Sequence, residues 1–337
     1  MLAPPRPLIE VFSDIADFRT SRGKRHPLSA LLALACCARW CGYRSDSAIA
    51  AWGRNDGTDI AHALGFTHNT PCAATLPTIF RCIAREAFAA KVGAWADSLV
   101  ATVPAAPEAP EIAIAVDGKT LRGSKKQGAP ETHLLSVLAH RAGLTLTQQA
   151  VAAKTNEIKE VETVLGQIAL TGRIVTMDAL LTQRQVAQTI VEAGGAYVMI
   201  VKDNQPQLKA DIELVFTLPP VGDRQESVRT VDIGHGRIEP RNLTTSAALV
   251  GYSDGPGLAQ VFEVGRHVMT QKTATERSEV VYGVTSLSPE RATPHRRLEL
   301  VRGHWGIENK SHWVRDVTFD EDRSQVRCGN IPHMMAA

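Results

Sequence analysis

Residues 111–128 read "EIAIAVDGKTLRGSKKQG", an apolar run that ends in Asp117 and continues into a cluster of basic residues. The Ile, Ala and Val residues are typical of a strand buried on both faces, because such strands are continuously apolar rather than alternating. This pattern predicts Asp117 at the carboxyl end of the strand, where a carboxylate needs a partner or a metal. An Asp-Gly turn with a solvated basic loop is the other interpretation, and this stretch alone does not distinguish the two.

The composition sets broad limits on the class of protein. A chain of 337 residues has room for roughly two domains, and a hydrophobic content of 44% is ordinary for a globular protein. The formal net charge of +2 neither demands nor excludes nucleic acid. The six cysteines form no paired metal-binding set, which favours reduced thiols in a cytoplasmic protein. Since no secretory signal or apolar run of about 18 residues is present, we expect neither secretion nor a membrane span.

The spacing of the apolar residues differs between the two parts of the chain. From Leu8 to about Leu99 the apolar residues recur at helical spacing, and a Pro- and Ala-rich linker follows at residues 101–111. We therefore predict a small helical domain over residues 1–105 and a second domain over residues 106–337.

The second domain is predicted to be mixed α/β, with helices packed on a sheet. It begins with three short apolar strands and then alternates between helix and strand. Strand-like pieces separated by Gly-rich turns predict an antiparallel insertion at about residues 206–290. A final helix is predicted from residue 294 to about residue 314.

A second acid follows the pattern of the first. In "GRIVTMDAL", residues 172–180, a buried strand ends in Asp178. Ligands collect beyond the carboxyl ends of strands in an open α/β sheet, so Asp117 and Asp178 can meet there if their strands are neighbours. Like charges held close raise the pKa of each other unless a cation neutralises them. Carboxylate oxygens suit Mg²⁺ or Mn²⁺ better than zinc.

The best candidate for a third acid is Glu308 in "RGHWGIENKSHW", residues 302–313. His304, Glu308 and His312 are spaced at i, i+4 and i+8, which predicts one helix face. The alternative is an amphipathic helix in which Trp305 and Ile307 pack and Glu308 is solvated, and the spacing alone favours it. A shared zinc ion is excluded for the two histidines, because they are about 12 Å apart along a helix.

Several long motifs, in order along the chain, resemble one family. They are "AVDGKTLRGSKK", "VTMDALLTQRQVA", "GGAYVMIVKDNQPQL", "GHGRIEPR" and "RGHWGIENKSHWVRDVTFDEDRSQVR". Together they resemble transposases of the H-repeat-associated, or ISAs, group of bacterial insertion sequences. "IADFRTSRGKRHPLSALLALA" and "RSDSAIAAWG" near the N-terminus resemble the helical accessory domain of that group. The resemblance implies a DDE enzyme with an RNase H-like catalytic core, an antiparallel β insertion and a helical domain that binds DNA.

The resemblance also implies the chemistry and the residues that perform it. Asp117, Asp178 and Glu308 match the catalytic acids of the family and are expected to hold two divalent ions, Mg²⁺ with Mn²⁺ as a substitute. The implied reaction is cleavage of DNA at element ends and strand transfer to target DNA, by a homodimer. The residues expected to contact DNA are Lys119, Arg122, Lys202, Asn204, Gln205, Arg302, His304, Asn309, Lys310 and Arg315.

Departures from the family leave alternatives open. His304 and Arg315 stand where related transposases carry an Arg and a Lys, and Arg302 is a substitute cation. The chain ends at "GNIPHMMAA", where relatives continue, so a truncated copy without activity that still binds DNA is one alternative. A stand-alone Mg²⁺-dependent nuclease is another. Trp305 and Trp313 can stack on an unpaired base, but their helical spacing predicts that at least one is a core residue.

Overall fold

The computed structural model describes residues 5–67, 69–104, 110–124, 131–151, 157–234, 236–270, 272–273 and 275–324. Within these ranges, a group of six helices precedes a sheet of nine strands. The predicted linker lies at this junction, and its residues 105–109 fall outside the described residues.

The helices are α1 (Leu8–Ser13), α2 (Leu28–Trp40), α3 (Asp46–Arg54), α4 (Thr58–Ala63), α5 (Thr75–Cys82), α6 (Arg85–Val100), α7 (Glu157–Leu165), α8 (Arg184–Glu192), α9 (Pro206–Thr217) and α10 (Pro294–His304). The strands are β1 (Ile112–Leu121), β2 (Thr132–Ala139), β3 (Thr145–Val151), β4 (Arg173–Met177), β5 (Ala196–Val201), β6 (Glu226–Gly234), β7 (Arg237–Ser246), β8 (Gln260–Thr270) and β9 (Thr275–Thr285). Across the described ranges, the helices are all too short or too polar to cross a lipid bilayer.

Helices α1 to α6 enclose a core of their own, separate from the core of the sheet. Helix α6 belongs to both, since Phe88 packs in the helical core while Ala96 and Val100 pack in the core of the sheet. Gly93 in α6 lies against the carbonyl oxygen of Leu146, where a Cβ atom would clash with the backbone of β3. This close approach anchors the helical group to the edge of the sheet.

The sheet has the strand order β3-β2-β1-β4-β5-β9-β8-β7-β6. Strands β1, β4 and β5 are parallel neighbours, and the other pairings are antiparallel. The fold is therefore mixed α/β with a large, mostly antiparallel sheet, as the hydrophobic pattern predicts.

The central strands are buried on both faces, as their continuous apolar runs predict. Ile114 and Val116 of β1 pack on the face that α7 and α8 cover, while Ala113 packs on the face that α10 covers. Ala115 points to the same side as Ala113, in a small buried cluster with Leu138 and Ile307.

The region predicted as an antiparallel insertion differs from the prediction at its start. Residues 206–217 form α9 rather than a strand, because Pro206 suits the first turn of a helix and Ile212 and Val215 are spaced to bury one helical face. The strands of the insertion, β6 to β9, lie within residues 226–285 and extend the sheet from β5 through β9.

The final helix also differs from its predicted course over residues 294–314. Regular α-helix ends at His304, and the chain continues through π-type turns at Glu308–His312 and Val314–Thr318. The number of residues per turn therefore changes along this segment, and the spacing predicted for one unbroken α-helix does not apply throughout it. His304 and His312 are buried, whereas Glu308 is exposed.

Candidate functional site

Asp117 and Asp178 occupy equivalent positions on two neighbouring parallel strands. Val116 of β1 pairs with Met177 of β4, so the two aspartates follow at the next position of strands that are about 4.8 Å apart. Asp178 lies directly after β4, as predicted. Asp117 is not at the end of its strand, because β1 continues to Leu121 in its pairing with β2. The two acids nevertheless meet at the point where the β1–β4 ladder stops.

Asp117 is contacted by the backbone of the residue that follows it and by the side chain of His312. The backbone N–H of Gly118 donates to Oδ1 at 2.8 Å, and His312 Nδ1 lies 3.7 Å from Oδ2. Burial, with Arg315 and Lys119 nearby, lowers the pKa of His312 to about 4. The imidazole is therefore neutral at pH 7, and its contact with Asp117 is a polar contact rather than an ion pair.

Asp178 is paired with Lys202, which directly follows β5. The ammonium Nζ lies 3.1 Å from Oδ1 and 3.4 Å from Oδ2. Asn204 Nδ2 donates to the carbonyl oxygen of Ala179 at 2.7 Å, and Gln205 Nε2 donates to that of Thr182. The two amides expected to contact DNA thus hold the loop that follows Asp178.

Glu308 lies on the chain segment that crosses the same part of the sheet. Its neighbour Ile307 is buried in the cluster with Ala115, while the Glu308 side chain is exposed. Across the described residues, no group of three or more His, Cys, Asp or Glu side chains is arranged to hold a metal ion. The structure therefore brings Asp117 and Asp178 together but does not gather all three acids into one ligand set.

The two aspartates have the character that a hard divalent cation requires. Their carboxyl groups are both partly exposed, at 37% and 39%, and they offer oxygen donors at neighbouring positions. One of them already binds a cationic side chain, Lys202. This donor set fits Mg²⁺ or Mn²⁺.

A buried polar network fixes the end of α10 against the sheet. Thr176 Oγ1 lies 2.9 Å from His140 Nε2 and 3.2 Å from His304 Nδ1, and it donates to the carbonyl oxygen of Ile114 at 3.2 Å. Burial lowers the pKa of His140 to about 3 and that of His304 to about 4, so both rings are neutral at pH 7. His304 was expected to contact DNA, but it is enclosed here.

Two cations expected at a DNA surface are instead held in internal ion pairs. Lys119 Nζ lies 2.6 Å from both carboxylate oxygens of Asp316. Arg315 pairs with Glu321 at 2.9 and 3.0 Å, and both side chains are largely enclosed. Asp316 and Glu321 were not identified from the sequence as the partners of these cations. The charge-rich stretch "RDVTFDED" at residues 315–322 is the signal that could have indicated such pairing.

The other residues expected to contact DNA remain exposed, with partners of their own. Arg122 lies 3.8 Å from Asp322 and Arg302 lies 2.9 Å from Asp232. Lys310 Nζ donates to the carbonyl oxygen of His140 at 2.8 Å, and Asn309 Nδ2 donates to that of Trp305 at 3.2 Å.

The two tryptophans of this segment are both at the surface. Trp305 and Trp313 are 52% and 55% exposed, so the prediction that at least one is a core residue is wrong. The buried residues of the segment are Ile307, Ser311 and His312 instead. Because π-type turns rotate side chains away from α-helical positions, the spacing alone misassigned the faces.

The segment that follows Glu308 also contacts the helical group. Arg44, just before α3, pairs with Asp320 at 3.2 Å and donates through Nη2 to the carbonyl oxygen of Thr318 at 2.6 Å. The guanidinium of Arg39 in α2 lies 5.4 Å from the ring centroid of Phe319.

Comparison with known proteins shows the family to which the chain belongs. Residues 108–334 match the family model described as "Transposase DDE domain", and residues 9–96 match the one described as "DDE_Tnp_1-associated". Since the first match spans more than half of the chain, the chain belongs to the DDE transposase family.

Named relatives place the chain more narrowly. It is 31% identical over 282 residues to "Uncharacterized protein in dhlA 3'region" of Xanthobacter autotrophicus, covering 82% of this chain and 93% of the relative. It is 27% identical over 340 residues to "H repeat-associated putative transposase YhhI" of Escherichia coli K12, covering 98% and 87%. A piggyBac transposase synaptic complex with hairpin DNA aligns at 12% identity with a TM-score of 0.43, covering 98% and 68%. The family models and the named relatives identify a DDE transposase of the H-repeat group, which confirms the resemblance.

Proposed function

We propose that this chain cleaves DNA at the ends of an insertion sequence and joins the freed 3′ ends to target DNA, with a divalent metal bound by Asp117, Asp178 and Glu308. The observation that carries the proposal is the pairing of β1 with β4, which brings the partly exposed Asp117 and Asp178 side by side at the end of the β1–β4 ladder. The order β3-β2-β1-β4-β5, with β1, β4 and β5 parallel, supports an RNase H-like catalytic core.

The course of the chain supports Glu308 as the third acid. Ile307 packs with Ala115, and His312 contacts Asp117, so the segment runs along β1 in the direction of the strand. Glu308 lies between these contacts in the chain and hence at a level between Ala115 and Asp117. We propose that its exposed carboxylate turns towards the two aspartates when the metal binds.

The proposed ion is Mg²⁺, with Mn²⁺ able to substitute. Divalent ions in such sites activate a water or hydroxyl nucleophile and stabilise the departing oxygen of the phosphodiester. In this chain, Asp117, Asp178 and Glu308 would hold the ion through their carboxylate oxygens. Lys202, no longer needed to neutralise Asp178, would be free to contact a phosphate.

DNA binding is proposed for the exposed cations and aromatic rings near the acids. Lys202, Arg302 and Lys310 are accessible for phosphate contacts, and Trp305 and Trp313 present aromatic faces on which an unpaired base can stack. We further propose that two copies of the chain act together on paired element ends.

A cleavage and joining assay tests this proposal. The substrate is DNA that carries the sequences flanking the gene in its own genome, with Mn²⁺ or Mg²⁺, and with pre-cleaved 3′-hydroxyl ends in a parallel reaction. Metal-dependent cutting and joining, both lost in Asp117→Asn and Asp178→Asn, are expected. Cutting without joining would indicate a nuclease, and binding without cutting would indicate a non-catalytic relative.

A further inference from the structure

The segment after α10 is attached to β1 at successive levels. Ala115, Asp117 and Lys119 lie on one face of β1, because alternate residues of a strand point to the same side. Their contacts on the segment are, in the same order, Ile307 in the buried cluster, His312 at 3.7 Å and Asp316 at 2.6 Å.

The order of these contacts gives the direction of the segment. From Ala115 to Lys119 the strand advances about 13 Å, at roughly 3.3 Å per residue. From Ile307 to Asp316 the segment advances by at most about 13 Å, because an α-helix rises roughly 1.5 Å per residue and the π-type turns present here are wider. The segment therefore runs in the direction of the strand, and the ion pair of Lys119 with Asp316 is the last of the three contacts along it.

This ion pair is a short and largely enclosed contact between the two elements. The Lys119 side chain is only 8% exposed, and its ammonium reaches both oxygens of Asp316. Removing one partner of such an enclosed pair leaves an uncompensated charge, which is far more costly than losing an exposed pair. The pair joins residues 197 positions apart in the chain.

We infer that Lys119 and Asp316 are positioning residues that fix the level of Glu308 along β1 relative to Asp117. The inference rests on the proposed function, because the position of Glu308 relative to Asp117 matters for metal binding only if both residues are ligands. Lys119 lies on β1, the strand of Asp117, and Asp316 lies on the segment of Glu308. Their ion pair therefore fixes the position of one element along the other.

The chain offers a matched control pair. Arg173 Nη2 lies 2.6 and 2.7 Å from the carboxylate oxygens of Asp97, with side chains 8% and 36% exposed, against 8% and 33% for Lys119 and Asp316. Arg173 begins β4, about 16 Å along the strand from Asp178. Its loss should weaken folding to a similar degree without moving the acids.

The test measures metal affinity rather than activity. Mn²⁺ binding is followed by electron paramagnetic resonance in the wild-type chain and in Lys119→Met, Asp316→Asn, the double variant and Arg173→Met. We expect each single variant at the pair to bind Mn²⁺ about tenfold more weakly, as for other residues that orient metal ligands. The double variant should bind no more weakly than the weaker single variant, because the two side chains act as one unit. Arg173→Met should keep the wild-type affinity.

Amide hydrogen exchange over residues 306–318 provides the second measurement. Protection there should fall in Lys119→Met and Asp316→Asn but not in Arg173→Met. Unchanged protection, or lost protection with unchanged Mn²⁺ affinity, would overturn the inference. If Lys119→Met does not fold, Asp316→Asn decides, because that side chain is partly exposed and keeps its shape. Absence of Mn²⁺ binding in the folded wild-type chain would instead refute the proposed metal site itself.

Discussion

The ammonium of Lys202 lies 3.1 Å from Oδ1 of Asp178 and 3.4 Å from Oδ2, so one carboxylate of the candidate site is neutralised from the neighbouring strand end. The pair is partly exposed on both sides, which keeps the interaction modest, at about 1 kcal/mol or less. A divalent ion at Asp178 would displace this ammonium and free it to contact a phosphate.

Lys202→Met is expected to raise Mn²⁺ affinity by up to about fivefold, since it removes a competitor worth no more than about 1 kcal/mol. The same change should lower the slope of DNA affinity against salt concentration by about one, because one phosphate contact is lost. Lys209→Met is the control, since it breaks a neighbouring 2.7 Å pair with Asp203 away from the acids. Weaker Mn²⁺ binding in Lys202→Met would mean that Lys202 supports the site instead.

Glu308→Gln is expected to leave the melting temperature unchanged, because the side chain is exposed. Loss of a metal ligand removes several kcal/mol of transition-state stabilisation, so cleavage should slow by about 100-fold or more. Glu299→Gln, an exposed acid on α10, serves as the control and should cut at the wild-type rate. If Glu308→Gln cuts normally, Asp316 or Asp320 becomes the candidate ligand, although both already pair with cations.

Gly303→Ala should destabilise the chain by about 1–3 kcal/mol, because the added Cβ would overlap the His140 ring beneath α10. Gly306→Ala meets only the flexible end of Lys310 and should be neutral or stabilising by up to about 1 kcal/mol. Urea denaturation of both variants measures the difference. Equal effects would show that the contact between α10 and His140 does not limit the packing.

Stability should fall as the pH drops below the ordinary histidine pKa of 6.5, because the folded chain keeps His140 neutral down to about pH 3 while the unfolded chain takes up a proton. At pH 5 this difference is about 2 kcal/mol for one such residue. His140→Gln should therefore lose several degrees less in melting temperature between pH 7 and pH 5 than the wild-type chain. An equal fall in melting temperature between pH 7 and pH 5 for the two proteins would contradict the assignment of this pH dependence to His140.

The amino-acid sequence was enough to predict the central strands and an acid on each of two of them, Asp117 and Asp178. The apolar runs before Asp117 and Asp178 allowed burial on both faces, and such strands pair in parallel at the centre of a mixed sheet. Burial of each strand depends on its local hydrophobic pattern, but the pairing of β1 with β4 joins strands about 60 residues apart and was decided by the tertiary structure. The helices of the first hundred residues were likewise predicted from the helical spacing of their apolar residues.

Which charged residues are accessible to solvent depends on how distant parts of the chain pack together. Lys119 and Arg315 look like surface cations in the sequence, but Asp316 and Glu321 enclose them in ion pairs. The exposure of Trp305 likewise depended on the turns that replace regular helix after His304. Burial of a side chain is set by what packs opposite it, and for Lys119 that partner lies 197 residues further along the chain, beyond the reach of any local pattern.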